Sequence, residues 1–281
     1  MKSARVIAVT VTVAAAILLL GACDRERVLT FGLPTIIGTA VYDTTYRGNR
    51  TLVYADVENT RLLPYVTANS ESLEVEGFSS GGEHMWSSSW QKETKLKAGD
   101  TCVLRVYQSE GTAESEKLVI PERPRITSPA DTFVLEQGHS LELAWTGTAG
   151  IDRYEINLQL QYEYTDTSHY SSYFYLDTTF TMPGTATDFT LPASFIFPPD
   201  VDTLRYGDGT VYIQAVCGPN IGHECKGNVT GHGGGYFLAS SEDYGSFAIG
   251  EFWRAARPRP RTPAEQARRM VERFKKEMDS R

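Results

Sequence analysis

Residues Tyr154–Tyr164 read YEINLQLQYEY, with Tyr154, Ile156, Leu158, Leu160, Tyr162 and Tyr164 in one phase and Glu155, Asn157, Gln159, Gln161 and Glu163 in the other. An extended chain points successive side chains to opposite sides, so this alternation predicts a strand with one face on a core and the other in water. Leu141, Leu143 and Trp145 keep the same period upstream, and Val211, Ile213 and Ala215 keep it downstream. One-sided strands must bury their apolar faces against each other, which predicts a β-sandwich.

These three segments, Leu141-x-Leu143-x-Trp145, Tyr154-x-Ile156-x-Leu158 and Val211-x-Ile213-x-Ala215, resemble the second, third and sixth strands of a fibronectin type III or immunoglobulin-like domain over residues 124–250. The resemblance implies a core tryptophan at Trp145. It departs from the family in two places. Tyr212, in the place of the usual sixth-strand tyrosine, is out of phase with Val211, Ile213 and Ala215, and the segment from Cys217 to Ser246 exceeds an ordinary last hairpin.

Working outward, residues 30–123 carry further short alternating runs, IIGTAVY, TLVYADV, SLEVEGF, TCVLRVYQ and KLVIP, separated by turn formers. They predict a first antiparallel sandwich. Pro121, Pro124 and Pro129 fall in the intervening PERPRITSP, which favours an extended linker and marks the boundary. The expected fold is therefore all-β, two tandem antiparallel β-sandwiches of immunoglobulin or fibronectin III type, followed by a basic Pro-rich linker (251–261) and a C-terminal amphipathic helix (262–281).

The first 22 residues read as a signal peptide. Lys2 and Arg5 precede the apolar run Val6–Leu20, which would span only about 22 Å as a helix, short of the roughly 30 Å hydrocarbon core. Leu20-Gly21-Ala22-Cys23 resembles a bacterial lipobox. That resemblance implies cleavage before Cys23, a lipid-attached thioether there with acyl chains of the palmitate class, and residues 23–29 as an anchor linker. Ordinary signal-peptidase cleavage and free secretion is the competing reading. Asp24 is similar to an inner-membrane retention signal of enteric bacteria, a rule other phyla do not follow, so both the cell membrane and the outer membrane stay open. Residues 23–253 carry a net charge of −16, which would repel nucleic acid phosphates, whereas 254–281 carry +6.

Of the remaining cysteines, Cys102 shares a face with Leu104 and Val106 and reads as a buried free thiol. Cys217 and Cys225, eight apart in a glycine-rich stretch of an exported chain, are expected to form a disulfide. Tetrahedral zinc held by Cys217, His223, Cys225 and His232 is the alternative, although the spacing matches no standard zinc module. No metal or cofactor is expected.

Two phrases imitate a hydrolase. Gly77-Phe78-Ser79-Ser80-Gly81 fits G-x-S-x-G, and His232-Gly233-Gly234-Gly235 resembles an oxyanion-hole loop. No helix pattern follows Ser79, and the glycine loop follows the serine by about 150 residues instead of preceding it. Both matches are therefore read as accidental, and GHGGGYFLAS as a long loop before the last strand. Trp86 and Trp90 in a Gly-Ser-rich stretch are the candidate ligand contacts for a glycan, against a core role favoured by their even spacing along a strand. Tyr162, Tyr164, Tyr173 and Tyr175 are read as cross-strand packing pairs.

The function expected from these observations is non-catalytic: an extracytoplasmic lipoprotein that binds or scaffolds in the cell envelope, its partners the membrane through its lipid and an envelope protein or glycan. A glycan-binding accessory to polysaccharide capture is the alternative, with a serine hydrolase third. In the tail, Thr262 caps a helix whose Ala267, Met270, Val271, Phe274 and Met278 form one apolar stripe. That stripe could face the acidic body, a partner or lipid. The expectation is a detachable contact element held off by Arg257-Pro258-Arg259-Pro260.

Overall fold

The computed structural model describes residues 33–44, 49–81, 85–130, 132–220, 227–250 and 260–279. The first half contains β1 (Thr35–Asp43), β2 (Arg50–Thr60), β3 (Tyr65–Ala68), β4 (Glu71–Ser72), β5 (Glu74–Gly81), β6 (Met85–Thr94), β7 (Thr101–Cys102), β8 (Leu104–Tyr107), β9 (Thr112–Ser115) and β10 (Leu118–Val119). The second half contains β11 (Ile126–Ser128), β12 (Val134–Leu135), β13 (Leu141–Trp145), β14 (Arg153–Asp166), β15 (Ser171–Pro183), β16 (Asp188–Leu191), α1 (Ala193–Ile196), β17 (Val201–Cys217), β18 (Val229–Gly231) and β19 (Gly234–Gly250). A final helix, α2, runs Pro263–Asp279.

In the second half, the sheet β11–β13–β16 faces the sheet β15–β14–β17–β19, the strand arrangement of an immunoglobulin-type sandwich. The apolar phase of YEINLQLQYEY lies in its core, where Trp145 meets the Tyr154 ring edge-on at 5.3 Å and Ile156, Leu158, Val211, Ile213 and Phe247 pack alongside. Tyr212 points to the opposite face, as its phase requires.

The excess length between Cys217 and Ser246 has a structural cause. β19 is 17 residues long, and its second half pairs with β17 in the sandwich while its first half runs parallel to β1, from Thr35↔Gly234 to Tyr42↔Ser241. The last strand of the second half therefore completes the sheet of the first. GHGGGYFLAS, expected as a loop, contributes the end of β18 and the start of β19 instead. Gly235 has φ +147, and a Cβ there would collide with the backbone of Ile36 across the parallel pair. The glycines are what let two backbones approach, a reason local to the sheet.

The centre of the sheet, β2, β1 and β19, is covered on both sides, which is why all nine positions of β1 are buried. Ile36, Ala40, Val53, Ala55 and Phe237 face an inner core shared with Val66, Cys102, Leu104 and Val106. Cys102 is a free thiol there, and burial holds its pKa up at about 12. On the other side Ile37, Leu52, Tyr54, Tyr236 and Leu238 meet α2 through Ala267, Met270, Val271 and Phe274.

The tail helix is thus docked on its own body, and the detached arrangement expected from the Arg-Pro linker is corrected by this packing. Its start is as expected: Thr262 N–H donates to Glu265 Oε2 at 2.7 Å, and Glu265 N–H donates to Thr262 Oγ1 at 3.2 Å. Isolated helices of this length are marginal in water, so the apolar sheet face below supplies the stabilising contact. The linker residues 251–259 and the side chain of Met278 lie outside what the structure describes.

Candidate functional site

The outer face of β15–β14–β17–β19 adjoins the face under α2, and the two form one continuous surface. Its rows follow from the register: Thr181–Glu155–Gln214–Glu242, then Thr179–Asn157–Tyr212–Tyr244, then onward to Tyr175–Gln161–Asp208 and Tyr173–Glu163–Tyr206. The polar phase of YEINLQLQYEY was expected in water. At the first two rows it is instead buried beneath the basic flank of α2.

There Arg153 donates to Glu155 Oε1 at 2.9 Å and Arg273 to its Oε2 at 2.7 Å. Arg261 reaches Glu242 at 3.3 Å and Asn157 at 2.8 Å, and its guanidinium lies 3.3 Å above the Tyr212 ring centre. Burial pushes the Glu242 carboxyl up to about 7 despite the opposing pull of Arg261. On the other flank Lys275 bridges Asp56 and Glu58 at 2.8 Å each, and Arg268 pairs with Glu76. The basic tail and acidic body are thus complementary to each other. A polar cleft of about 270 Å³ remains between Gln266, Arg269 and the sheet.

The far rows are open. Tyr173 is 77% exposed, Tyr175 68% and Tyr206 48%. Glu163 organises them: its carboxylate accepts hydrogen bonds from Ser171, Tyr206 and Tyr173, and Arg205 donates to it at 2.9 Å. The Ser171 and Tyr206 bonds hold the Glu163 pKa below the usual carboxylate range, and the bond to Glu163 raises that of Tyr206. The Tyr173 and Tyr206 hydroxyls are thus tied down while ring faces stay free. Gln161 donates to Asp208 at 2.9 Å in the next row. An exposed aromatic set with restricted rotamers loses little entropy on contact, the property of a binding surface.

The tyrosines expected as packing pairs therefore divide by strand phase. Tyr162 and Tyr164 are core residues, whereas Tyr173 and Tyr175 face solvent. The alternation of SSYFYLDTTFTMP could have shown this, since Phe174 and Leu176 occupy the other phase.

The other candidate residues do not converge. Trp90 is a core residue whose indole N–H donates to Ser88 at 2.9 Å, and Trp86 is half-buried beside Phe78, at 5.9 Å between ring centres. The pair makes no shared ligand platform, which corrects that expectation: Trp86 and Trp90 sit on β6, and Trp90 points inward. Ser79 lies on β5 and His232 between β18 and β19, with β6, β2, β1 and β19 between them in the sheet. Cys217 is a buried free thiol that donates to the Gly150 carbonyl at 3.5 Å, and Cys225 and His223 lie outside the described residues. The expected Cys217–Cys225 bridge involves Cys225 and so lies outside the described residues. Cys23 also lies outside them. Among the described residues no three His, Cys, Asp or Glu side chains cluster to hold a metal ion, and no helix is long and apolar enough to cross a membrane.

No protein-family model matches the sequence, and no curated protein does. Among solved structures, the chain is similar to the three-domain immunoglobulin ectodomain of mouse nectin-like molecule 4, at 13% identity and a TM-score of 0.22. The alignment covers 78% of this chain and 65% of the ectodomain. The immunoglobulin-like assignment rests on the strand pairing above, and the chain is an all-β protein of tandem sandwiches with a short C-terminal helix.

Proposed function

We propose that this chain is a non-catalytic binding or scaffolding component of a bacterial cell envelope, tethered outside the cytoplasm by lipid on Cys23, and that it meets its partner through Tyr173, Tyr175 and Tyr206. The observation that carries the binding role is the exposure of those rings together, with the Tyr173 and Tyr206 hydroxyls held by Glu163. Tyrosine supplies large contact area at low entropic cost and is enriched at interface centres. The lipid tether rests on Leu20-Gly21-Ala22-Cys23 alone.

The glycan reading moves from the tryptophans to the tyrosine face, where the Gln161 amide and Asp208 carboxylate lie beside rings able to stack on sugars. A hydrolase has the weakest support, because Ser79 lies on β5 while His232 lies between β18 and β19, with β6, β2 and β1 intervening in the sheet.

The test is paired capture from the native envelope with wild-type protein and a Tyr173→Ala/Tyr206→Ala variant. A partner held by both equally refutes the tyrosine face; one lost with the variant supports it, and a glycan array separates sugar from protein. Intact-mass measurement of the membrane fraction should show residues 1–22 removed and acyl mass at Cys23. Alkylation before and after reduction decides the cysteines: Cys217 and Cys225 protected until reduced would support the bridge, and both labelled on unfolding alone would rule it out.

A further inference from the structure

We infer that β15 is a self-association edge, at which two copies of this chain pair β15 to β15 in antiparallel register centred on Tyr175. β15 is 13 residues long and, among the described residues, hydrogen-bonds only to β14 on one side. Natural edges of that length are blunted by lysine, proline, bulges or covering segments, because an open row of backbone groups is a template for another strand. Ser171–Pro183 has no lysine, its proline is the final residue, and its pairing with β14 contains no bulge. Its one charge, Asp177, is engaged by Asn157 at 2.8 Å, Gln159 at 3.1 Å and Arg269 at 3.4 Å, so it does not guard the edge.

The edge is also apolar. Phe174, Leu176, Phe180 and Met182 are only partly buried against the second core, and Phe195 of α1 is exposed beside Phe180 at 5.9 Å between ring centres. Tyr173 and Tyr175 stand exposed on the other face. A partner strand along Ser171–Thr179 would cover Phe174 and Leu176 in one row and Tyr173 and Tyr175 in the other.

The sequence of β15 complements itself when centred on Tyr175. Centring on Tyr175 sets Phe174 opposite Leu176 of the second copy, Ser172 opposite Thr178, Ser171 opposite Thr179, and Tyr173 opposite Asp177. Apolar residues meet apolar ones and small polar residues meet small polar ones. Centring on Asp177 would oppose like charges, and centring on Leu176 would set Phe180 against Ser172. Centring on Thr178 also matches apolar residues, Leu176 with Phe180 and Phe174 with Met182, but sets Tyr175 against Thr181, so charge variants at Tyr175 separate that register from the one inferred. The occupant is therefore a second copy, in an isologous two-fold pair. Nine residues in register give an edge about 31 Å long at 3.4 Å per residue. Pairing would also bring the two tyrosine faces side by side, doubling the surface proposed above.

Sedimentation velocity of the full chain in mild detergent tests this, over about 1–100 µM, the range of a modest interface. Wild type is expected to pass from monomer to dimer. Tyr175→Lys and Tyr175→Glu each place like charges opposite one another and should weaken the dimer by about tenfold or more. An equimolar mixture of the two variants should recover it, since Lys then faces Glu. Tyr175 is 68% exposed, so both variants should melt as wild type does, which separates lost pairing from lost fold. A wild type that stays monomeric throughout, a dimer indifferent to Tyr175→Lys, or a mixture that fails to recover would each overturn the inference. Repeating the capture with Tyr206→Ala alone, a residue on β17 and not on β15, makes failure of the partner surface and failure of self-pairing read out separately.

Discussion

Phe274→Ala is the perturbation that most directly measures whether α2 belongs to the fold. Phe274 is 1% exposed and packs among Ile37, Val41, Leu52, Tyr54 and Leu238 on one face of the β1–β2–β19 sheet. Truncating a phenylalanine so buried costs about 3–5 kcal/mol, the transfer of the ring plus the cavity it leaves. The helix can escape that cost by undocking, so the loss is limited to the docking free energy of α2 itself. Deleting residues 260–281 measures this ceiling, and Phe274→Ala must not exceed it. Urea unfolding followed by circular dichroism reads both, and the m-value distinguishes the two routes: an undocked helix leaves less surface to expose, so m falls, whereas a retained cavity leaves m unchanged. Arg268→Ala is the control, because Arg268 is half-exposed in its pair with Glu76 and such pairs contribute about 0–1 kcal/mol. If deletion and Phe274→Ala each cost under about 1 kcal/mol, the helix is a detachable element after all and the packing argument fails.

Glu242 gives a pH signature of the same docking. Its folded pKa of about 7 lies above the ordinary carboxylate value, so the fold favours the protonated form; stability from this group is full below about pH 4.5 and is lost as pH rises to about 7. The loss amounts to about 3 kcal/mol, and the difference in unfolding free energy between wild type and Glu242→Gln should change by that much across the window; a parallel pair of curves would refute it. Gly235→Ala should abolish or severely weaken folding, because the added methyl meets the Ile36 backbone, and a soluble variant with wild-type melting would contradict the parallel pairing. Trp90→Ala should cost about 3–5 kcal/mol in chemical denaturation and Trp86→Ala clearly less, since Trp90 is 5% exposed and Trp86 only half-buried. Equal losses would mean that both rings serve the core.

Period-two alternation made the second sandwich legible, because a strand with one wet face writes its orientation into every residue. Leu141–Trp145, Tyr154–Tyr164 and Val211–Ala215 fall where their phases require. β19 was illegible for the opposite reason. Its glycines carry no side-chain phase, and the partner that explains them, β1, lies almost two hundred residues earlier. A parallel pairing of that separation leaves no local signal. The helix was legible in its cap and stripe but not in its destination, since TIIGTAVY is apolar at successive positions and so hides which of its two faces needs a cover. The tyrosine face is hidden because the four tyrosines look alike in composition and differ only in phase: Tyr162 and Tyr164 fall in one strand phase and Tyr173 and Tyr175 in the paired strand's other phase.

One sheet surface holds a docked helix at one end and free tyrosines at the other, and the residues of β15 account for the division. Every outer position of β14 is long and polar, from Glu155 to Glu163, so β14 cannot distinguish the ends. On β15 the outer row runs Thr181, Thr179, Asp177, Tyr175, Tyr173. The threonines are short enough for Arg273 of the helix and Arg261 just before it to reach Glu155 and Asn157 over them, and Asp177 supplies the last carboxylate that Arg269 can meet. Beyond Asp177 the row rises to tyrosine height, and the acidic group there, Glu163, is already engaged by Ser171, Tyr173, Tyr206 and Arg205. Hydrogen-bonding groups already satisfied offer a basic helix no comparable gain, while the ring faces above them remain uncovered. The same local chemistry that stops the chain from covering this patch itself leaves it available to something else.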